Sequence, residues 1–280
     1  MTMVRGIETI VRLTVLEARR RRISLAALLG GLAFLLIFGI AVYLIHHESM
    51  ARGMALARAR IQLEMLTLAG LYAANFLIVA TAILLPVDTL SGEITSGAIQ
   101  TLASKPIPRR SIVLGKALAY WLMVAGYVVI MVGGVVLAMR LAAGFWQPHV
   151  IPALALILLE ATVLLSIVIA GGASLSTVAN GITAFAFYAV AFIGGWIEQI
   201  GVVLGSTDAR YIGTIVSLVS PTDALWRLAM YVLEPPVMAQ VMVTPFTPRS
   251  VPTAAMVWWA LAFVVAVLSF AVYRFESRAL

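Results

Sequence analysis

The stretch Asp88–Lys116, DTLSGEITSGAIQTLASKPIPRRSIVLGK, decides the fold because it is a long polar insert between two apolar runs. Within it Ile94, Ala98 and Leu102 recur four residues apart, and this spacing places them on one face of a helix. We therefore predict a short amphipathic helix over residues 92–103.

A stiff and basic connection follows this helix. Pro106 and Pro108 end it, since the residue before a proline is pushed out of the helical region. The segment 105–107 is therefore predicted to form a fixed elbow. Arg109 and Arg110 then mark the beginning of the next apolar run.

Two interpretations of the insert follow from its pattern. A short helix held between two membrane spans can dock into a groove on a soluble partner and pass force to both spans. The same pattern is equally typical of an ordinary cytoplasmic loop whose apolar face rests on the bilayer surface.

The composition is that of an integral membrane protein. Hydrophobic residues make up 62% of the 280 residues and charged residues only 11%, whereas about a quarter of a soluble domain is charged. Cysteine is absent, so the sequence provides no disulfide, thiolate zinc site or cysteine nucleophile. We predict an all-α polytopic membrane protein with six transmembrane helices.

The predicted organisation is one transmembrane domain over residues 1–280, since apolar runs of about 20 residues can each cross a bilayer. It begins with an amphipathic, arginine-rich helix at the membrane interface over 4–22. The insert 88–116 is cytoplasmic, and 198–253 is expected to form external re-entrant or surface helices. The predicted spans are 24–45, 65–87, 117–139, 151–170, 176–197 and 254–275.

The distribution of basic residues favours placing both termini in the cytoplasm. In that orientation the cytoplasmic segments carry twelve Lys and Arg residues and the external segments carry seven, as the positive-inside rule expects. Arg52, Arg58 and Arg60 in the first external loop weaken this bias.

The motifs of nucleotide binding and catalysis are missing from the sequence. A P-loop needs Gly-x-x-x-x-Gly-Lys-Ser/Thr, but Gly115-Lys116 is followed by Ala117, and Arg110 stands at the position of the first glycine. If ATP drives this protein, another subunit binds it. With three histidines and no cysteine, catalysis by this chain is not expected.

Glu160 is the only ionisable residue deep inside a predicted span. An acid there costs about 2.5–3.5 kcal/mol on insertion scales, so such residues face the bundle or a cavity. Glu160 is therefore a candidate for a proton relay or a cation site. The simpler interpretation, which we prefer, is a protonated or hydrogen-bonded residue that packs helices together.

A cluster of imidazole and thioether groups at the outer end of the first span has a composition that suits copper. Methionine also fills irregular apolar gaps, and we prefer that packing role. We therefore predict no metal site. The residues that would otherwise supply the ligands share a helix face and are His46, His47, Met50 and Met54.

Two segments resemble known transporters. The pattern Asp88-x-x-x-Gly92-Glu93-x-x-x-Gly97-x-x-x-x-Leu102-x-x-Lys105-Pro106-x-x-Arg109, followed by Leu114-Gly115-Lys116, resembles the cytoplasmic loop of type-2 ABC transporter permeases. Ser220-Pro221-Thr222-Asp223, with Arg227-Leu228 behind it, is similar to a segment in the permease of the copper-handling system that matures nitrous-oxide reductase. The general resemblance extends over most of the chain.

The resemblance implies a membrane-spanning permease of an ATP-driven exporter in the prokaryotic inner membrane. It implies no cofactor on this chain, with ATP and magnesium bound by a separate cytoplasmic ABC ATPase. It also implies a permease homodimer in the lipid membrane, an extracytoplasmic accessory protein, and no nucleic acid. The residues expected to couple to the ATPase are Asp88, Gly92, Glu93, Ile94, Gly97, Ala98, Leu102, Lys105, Pro106, Arg109 and Arg110.

Two other functions stay open. A proton- or ion-coupled secondary transporter could use Glu160, and its transport would survive loss of any ATPase partner. A non-transporting membrane assembly factor would change no ATPase rate in response to a ligand.

Overall fold

A computed structural model describes residues 3–19, 21–52, 56–92, 108–233, 248 and 250–277, and these residues form helices and no strand. The predicted all-α class is therefore confirmed. In chain order the helices are α1 Met3–Ala18, α2 Arg22–Ala51, α3 Leu56–Leu84, α4 Arg109–Ala143, α5 Val150–Gly172, α6 Thr177–Leu204, α7 Thr207–Val219, α8 Thr222–Leu233 and α9 Ala255–Glu276.

Among the described residues, six helices are long and apolar enough to cross a membrane, namely α2, α3, α4, α5, α6 and α9. This matches the predicted number of spans. Several of them continue past the predicted apolar runs: α4 begins at Arg109 and α6 ends at Leu204. Apolarity marks only the part of a helix inside hydrocarbon, whereas the backbone hydrogen bonds that define the helix continue through polar residues.

The core is built around α5, which packs against α3, α4, α6, α8 and α9. Its side chains at Ile157, Ala161, Leu164 and Val168 are fully enclosed. By contrast, the flanking helices α2 and α9 leave most of their apolar side chains exposed, as expected for surfaces that face lipid.

The amphipathic helix α1 packs against α4. It buries Gly6, Ile10, Thr14 and Ala18, which lie four residues apart on one face. Val4 lies outside this face and is exposed. Ile10 can pack closely because α4 presents Gly115 to it, where a Cβ atom would lie 2.7 Å from the Cβ atom of Ile10.

A tight turn at Gly205 and Ser206 folds α7 back along α6. Gly205 has a φ of 68°, a left-handed conformation that glycine adopts without a steric penalty. Gly213 allows the two helices to approach, since a Cβ atom there would lie 2.3 Å from the Cβ atom of Glu198. This close packing and the following α8 bring polar side chains of the segment 198–250 together.

Candidate functional site

The described start of the predicted coupling loop is the segment 85–92, which we call the loop entrance. It follows the end of α3 and contains Pro86, Asp88 and Gly92. The backbone turns sharply here, since the Thr89 amide donates to the Pro86 carbonyl at 2.9 Å and the Gly92 amide donates to the Asp88 carbonyl at 3.1 Å. The entrance thus has a defined conformation.

The first turn of α6 binds the loop entrance through side chains. Asn180, only 1% exposed, donates from Nδ2 to the Val87 carbonyl at 3.3 Å and to the Val168 carbonyl of α5 at 2.9 Å. Thr177 donates from Oγ1 to Asp88 Oδ1 at 2.9 Å. These bonds connect the entrance to both α5 and α6.

Cations from two other elements complete the anchoring. Lys116 of α4 is only 2% exposed, and its Nζ donates to the backbone oxygen and to Oγ1 of Thr89 at 3.2 and 3.3 Å. Arg21, between α1 and α2, places Nη1 3.6 Å from Asp88 Oδ2. A buried ammonium group requires such acceptors to offset its desolvation, so Lys116 holds the entrance to α4.

Gly92 leaves no room for a side chain beside Asp88. A Cβ atom at this position would lie 2.1 Å from Asp88 Oδ1, the oxygen that accepts from Thr177. We expect Gly92→Ala to displace this carboxylate and lower stability by about 0.5–1.5 kcal/mol, the typical net value of one hydrogen bond, since the Asp88 side chain is 44% exposed. Thermal unfolding of the purified protein in detergent measures the effect.

The matched control for Gly92→Ala is Gly126→Ala on the exposed face of α4, where a Cβ atom would meet nothing within 4 Å. That substitution is expected to be neutral or to stabilise by up to about 1 kcal/mol through helix propensity. Equal unfolding temperatures for the two variants would contradict the role assigned to Gly92.

The remaining residues predicted to couple to an ATPase divide into two groups. Arg109 and Arg110 begin α4, where Arg109 donates to the Glu276 carbonyl of α9 at 3.3 Å and Arg110 is exposed. The others lie outside the described residues: Glu93, Ile94, Gly97, Ala98, Leu102, Lys105 and Pro106.

A second polar site surrounds Arg227 of α8 at the opposite end of α6. The guanidinium is 2% exposed and donates from Nε to Asp223 Oδ2 at 2.8 Å and from Nη2 to Glu198 Oε2 at 2.9 Å. It also donates to Ser217 Oγ and to the Ser250 carbonyl, both at 3.2 Å. We call these residues the Arg227 cluster; they link α6, α7, α8 and the segment before α9.

Two carboxylates share one cation in the Arg227 cluster. Burial raises the pKa of the Asp223 carboxyl to about 6, and the charge of Arg227 opposes this rise. Glu198 also accepts a hydrogen bond from Ser250 Oγ, which spreads its charge over a second donor. Breaking one of these contacts would leave a buried charge without compensation, so the cluster fixes the arrangement of its helices.

Glu160 lies at the centre of α5 and is 1% exposed. Asn75 of α3 donates from Nδ2 to Glu160 Oε1 at 3.2 Å. Nearby, Tyr72 of α3 meets the edge of the Trp226 ring of α8 at a centroid distance of 4.8 Å. The acid therefore faces the helix bundle, in a core where α3, α5 and α8 meet.

These observations describe a multi-pass helical protein with a polar loop anchored to several spans. A family model described as ABC-2 family transporter protein matches residues 12–280, which is nearly the whole chain. The chain belongs to the ABC-2 transporter family. A comparison with curated proteins found no match.

Membership of the ABC-2 family confirms the identification of the chain as a type-2 ABC transporter permease. Members are membrane subunits of transporters, generally not catalytic themselves, and generally pair with cytoplasmic ABC ATPases. The protein is thus a multi-pass membrane protein and a transporter subunit. The family match supports the general identification and does not extend to the resemblance to the copper-handling permease.

The imidazole and thioether cluster of this ABC-2 permease lies in the last turns of α2. His47 is exposed and tilts against Tyr43 at a ring distance of 6.1 Å, and Met50 is also exposed. Met54 lies outside the described residues. Within the part of the chain that the structure describes, no three His, Asp or Glu residues are close enough to hold a metal ion.

Sequence reasoning missed several residues that anchor the permease. Lys116 was named only as part of a sequence motif, and Asn180 lay inside the predicted span 176–197 without being singled out. Glu198 was placed at a span boundary, although α6 continues past it. A polar residue inside an otherwise apolar helix was the available signal, since such a residue needs a partner in the bundle.

Proposed function

We propose that this chain is the permease of an ATP-driven exporter, and that a separate cytoplasmic ATPase, which binds ATP and magnesium, drives it through the loop 88–116. The observation that supports this most directly is the anchoring of the loop entrance. A loop that only rested on the bilayer would not need bonds to several helices, whereas a loop that transmits force does.

The anchors define the route by which force reaches the spans. Displacement of the entrance acts on α6 through Asp88 and Thr177, and on α5 and α6 through Asn180. It acts on α4 through Lys116 and on the start of α2 through Arg21. Because packed helices move as rigid bodies, a push at the entrance is converted into a tilt of these spans.

The proposal includes a homodimer in the prokaryotic inner membrane with both termini in the cytoplasm. The resemblance of Ser220–Asp223 and Arg227 to the copper-handling permease makes a copper-handling system with an extracytoplasmic accessory protein the first one to test. Arg227, Asp223 and Ser217 of the Arg227 cluster are buried, so the cluster would act there as a structural support and not as a ligand site.

We expect the chain to copurify with a soluble ATPase and to hydrolyse no ATP alone, because the P-loop residues are absent from its sequence. Affinity purification from the native host, followed by an ATPase assay with and without the partner, measures this. ATP hydrolysis by the purified permease alone would contradict the proposal.

The location of the loop can be tested with single cysteines, since the natural chain has none. Cysteines at positions 94–102 should crosslink to the ATPase and should resist a membrane-impermeant reagent applied from outside intact cells. A cysteine at the exposed position Leu204, at the far end of α6, is the control and should be labelled from outside. Labelling of 94–102 from outside would show the topology to be inverted.

A further inference from the structure

The contact between Glu160 and Asn75 leaves two buried oxygens without a partner. Asn75 Nδ2 donates to Glu160 Oε1 at 3.2 Å, but Asn75 Oδ1 and Glu160 Oε2 have no hydrogen-bond partner among the described residues. Both side chains are nearly inaccessible, with 3% and 1% of their surfaces exposed. Leaving a buried acceptor unsatisfied costs about 1–3 kcal/mol, and more when the group is charged.

Ionisation of Glu160 would increase the free-energy cost of these two unsatisfied acceptors. A carboxylate and an amide oxygen both accept and neither donates, so two acceptors on a touching pair of side chains would have no hydrogen between them. The titratable groups within electrostatic range are Tyr72 of α3, Tyr188 of α6 and Asp223 of α8, and none of them is a cation. Arg227, the nearest described cation to Asp223, is already shared by Asp223 and Glu198.

One proton added to Glu160 Oε2 would give both unsatisfied oxygens a hydrogen-bond partner. We propose that Glu160 is a proton-binding site, with Oε2–H donating to Asn75 Oδ1 while Asn75 Nδ2 donates to Oε1. The side chains then form a reciprocal acid–amide pair with two hydrogen bonds and no net charge. This pair joins α3 to α5 in the core, and loss of the proton would break one of its two bonds.

A proton fits this site better than a metal cation. Hard cations in proteins take six or more oxygen ligands, or retain several waters. This pair provides two free oxygens, and the residues one helical turn away on the same helices, Leu71, Ile157 and Leu164, are apolar and fully enclosed. A single proton needs only one donor and one acceptor.

The decisive measurement is the infrared difference spectrum between the wild-type permease and Glu160→Gln, both in lipid nanodiscs at neutral pH. We expect the carbonyl band of a protonated carboxylic acid in the wild type and its loss in the variant. In Asn75→Leu we expect that band to remain and to move to higher frequency, because the carbonyl no longer accepts a hydrogen bond. Carboxylate bands in place of the acid band would overturn the proposal.

Unfolding temperatures provide an independent test, since glutamine reproduces both bonds: its Nε2 can donate to Asn75 Oδ1 and its Oε1 can accept from Nδ2. We expect Glu160→Gln to melt within about 3 °C of the wild type and Asn75→Leu to melt about 4 °C lower or more. A melting temperature that rises with sodium in the wild type but not in Glu160→Gln would assign a cation to the site and refute the proton.

Discussion

Replacing Arg227 with methionine is expected to destabilise the permease by about 3–5 kcal/mol, the cost of breaking a buried ion pair from one side. The guanidinium is 2% exposed and donates to Asp223 and Glu198 at 2.8 and 2.9 Å. Its removal would leave two carboxylates buried together without a cation. An effect of this size is a large fraction of the stability of an ordinary domain.

The same substitution at Arg210 provides a matched control. Arg210 lies in the same segment between α6 and α9, in α7, and its side chain is exposed, so its loss should change stability by no more than about 0.5 kcal/mol. A further variant, Glu198→Gln, removes one charge but keeps a side chain that can accept from Arg227, and should fall between the two.

Thermal unfolding in detergent, followed by the fraction of protein that stays monodisperse, measures these differences. Arg227→Met should lose monodispersity at a clearly lower temperature than Arg210→Met, or should fail to accumulate in the membrane. If both variants unfold at the same temperature as the wild type, Arg227 does not hold the helices together and its contacts do not stabilise the fold.

The largest functional effect is expected from Glu93→Ala combined with Leu102→Asp in the predicted coupling helix. The sequence spacing predicts that Leu102 shares an apolar face with Ile94 and Ala98. A charge at Leu102 would then be buried in the proposed contact with the ATPase. Loss of one interface hot spot costs about 2 kcal/mol, which corresponds to about 30-fold weaker binding. The permease should still insert and dimerise, because neither residue belongs to a predicted membrane span.

A matched variant at the loop entrance separates binding from transmission of force. Lys116→Met removes the bonds to Thr89 but leaves residues 93–102 unchanged. We expect this variant to bind the ATPase as the wild type does, while the response of the spans to ATP becomes smaller. The variant with Glu93→Ala and Leu102→Asp should lose both the binding of the ATPase and the response of the spans to ATP.

Spin labels at cysteines replacing Leu141 and Leu204 can measure that response. These positions are 77% and 75% exposed and lie at the ends of α4 and α6 remote from the loop entrance. The ATP-dependent change in their separation should be largest in the wild type and reduced in Lys116→Met. An unchanged response in Lys116→Met would show that the entrance does not transmit force to α4.

The overall architecture was predictable because it depends on short-range features of the chain. Uninterrupted apolar runs long enough to cross a bilayer predict six spans, since in hydrocarbon only a helix satisfies its own backbone. The predicted span 65–87 ran through Pro86, whereas α3 stops at Leu84, because a proline cannot donate the backbone hydrogen bond that would continue the helix. The absence of a P-loop and the motif within 88–116 can likewise be recognised from the linear sequence alone.

The pairing of polar residues was decided by tertiary structure alone. Asn75 meets Glu160 across 85 positions of sequence, and Asn180 meets Val87 across 93. Helical periodicity reports which face of one helix is apolar, but it carries no information on which other helix that face meets. The sequence by itself therefore determined the number of spans and the position of the polar insert between the second and third spans. Only the packing of α3, α4, α5, α6 and α8 decided which buried donor satisfies which acceptor, because each pairing lowers the cost of burying a polar group in that core.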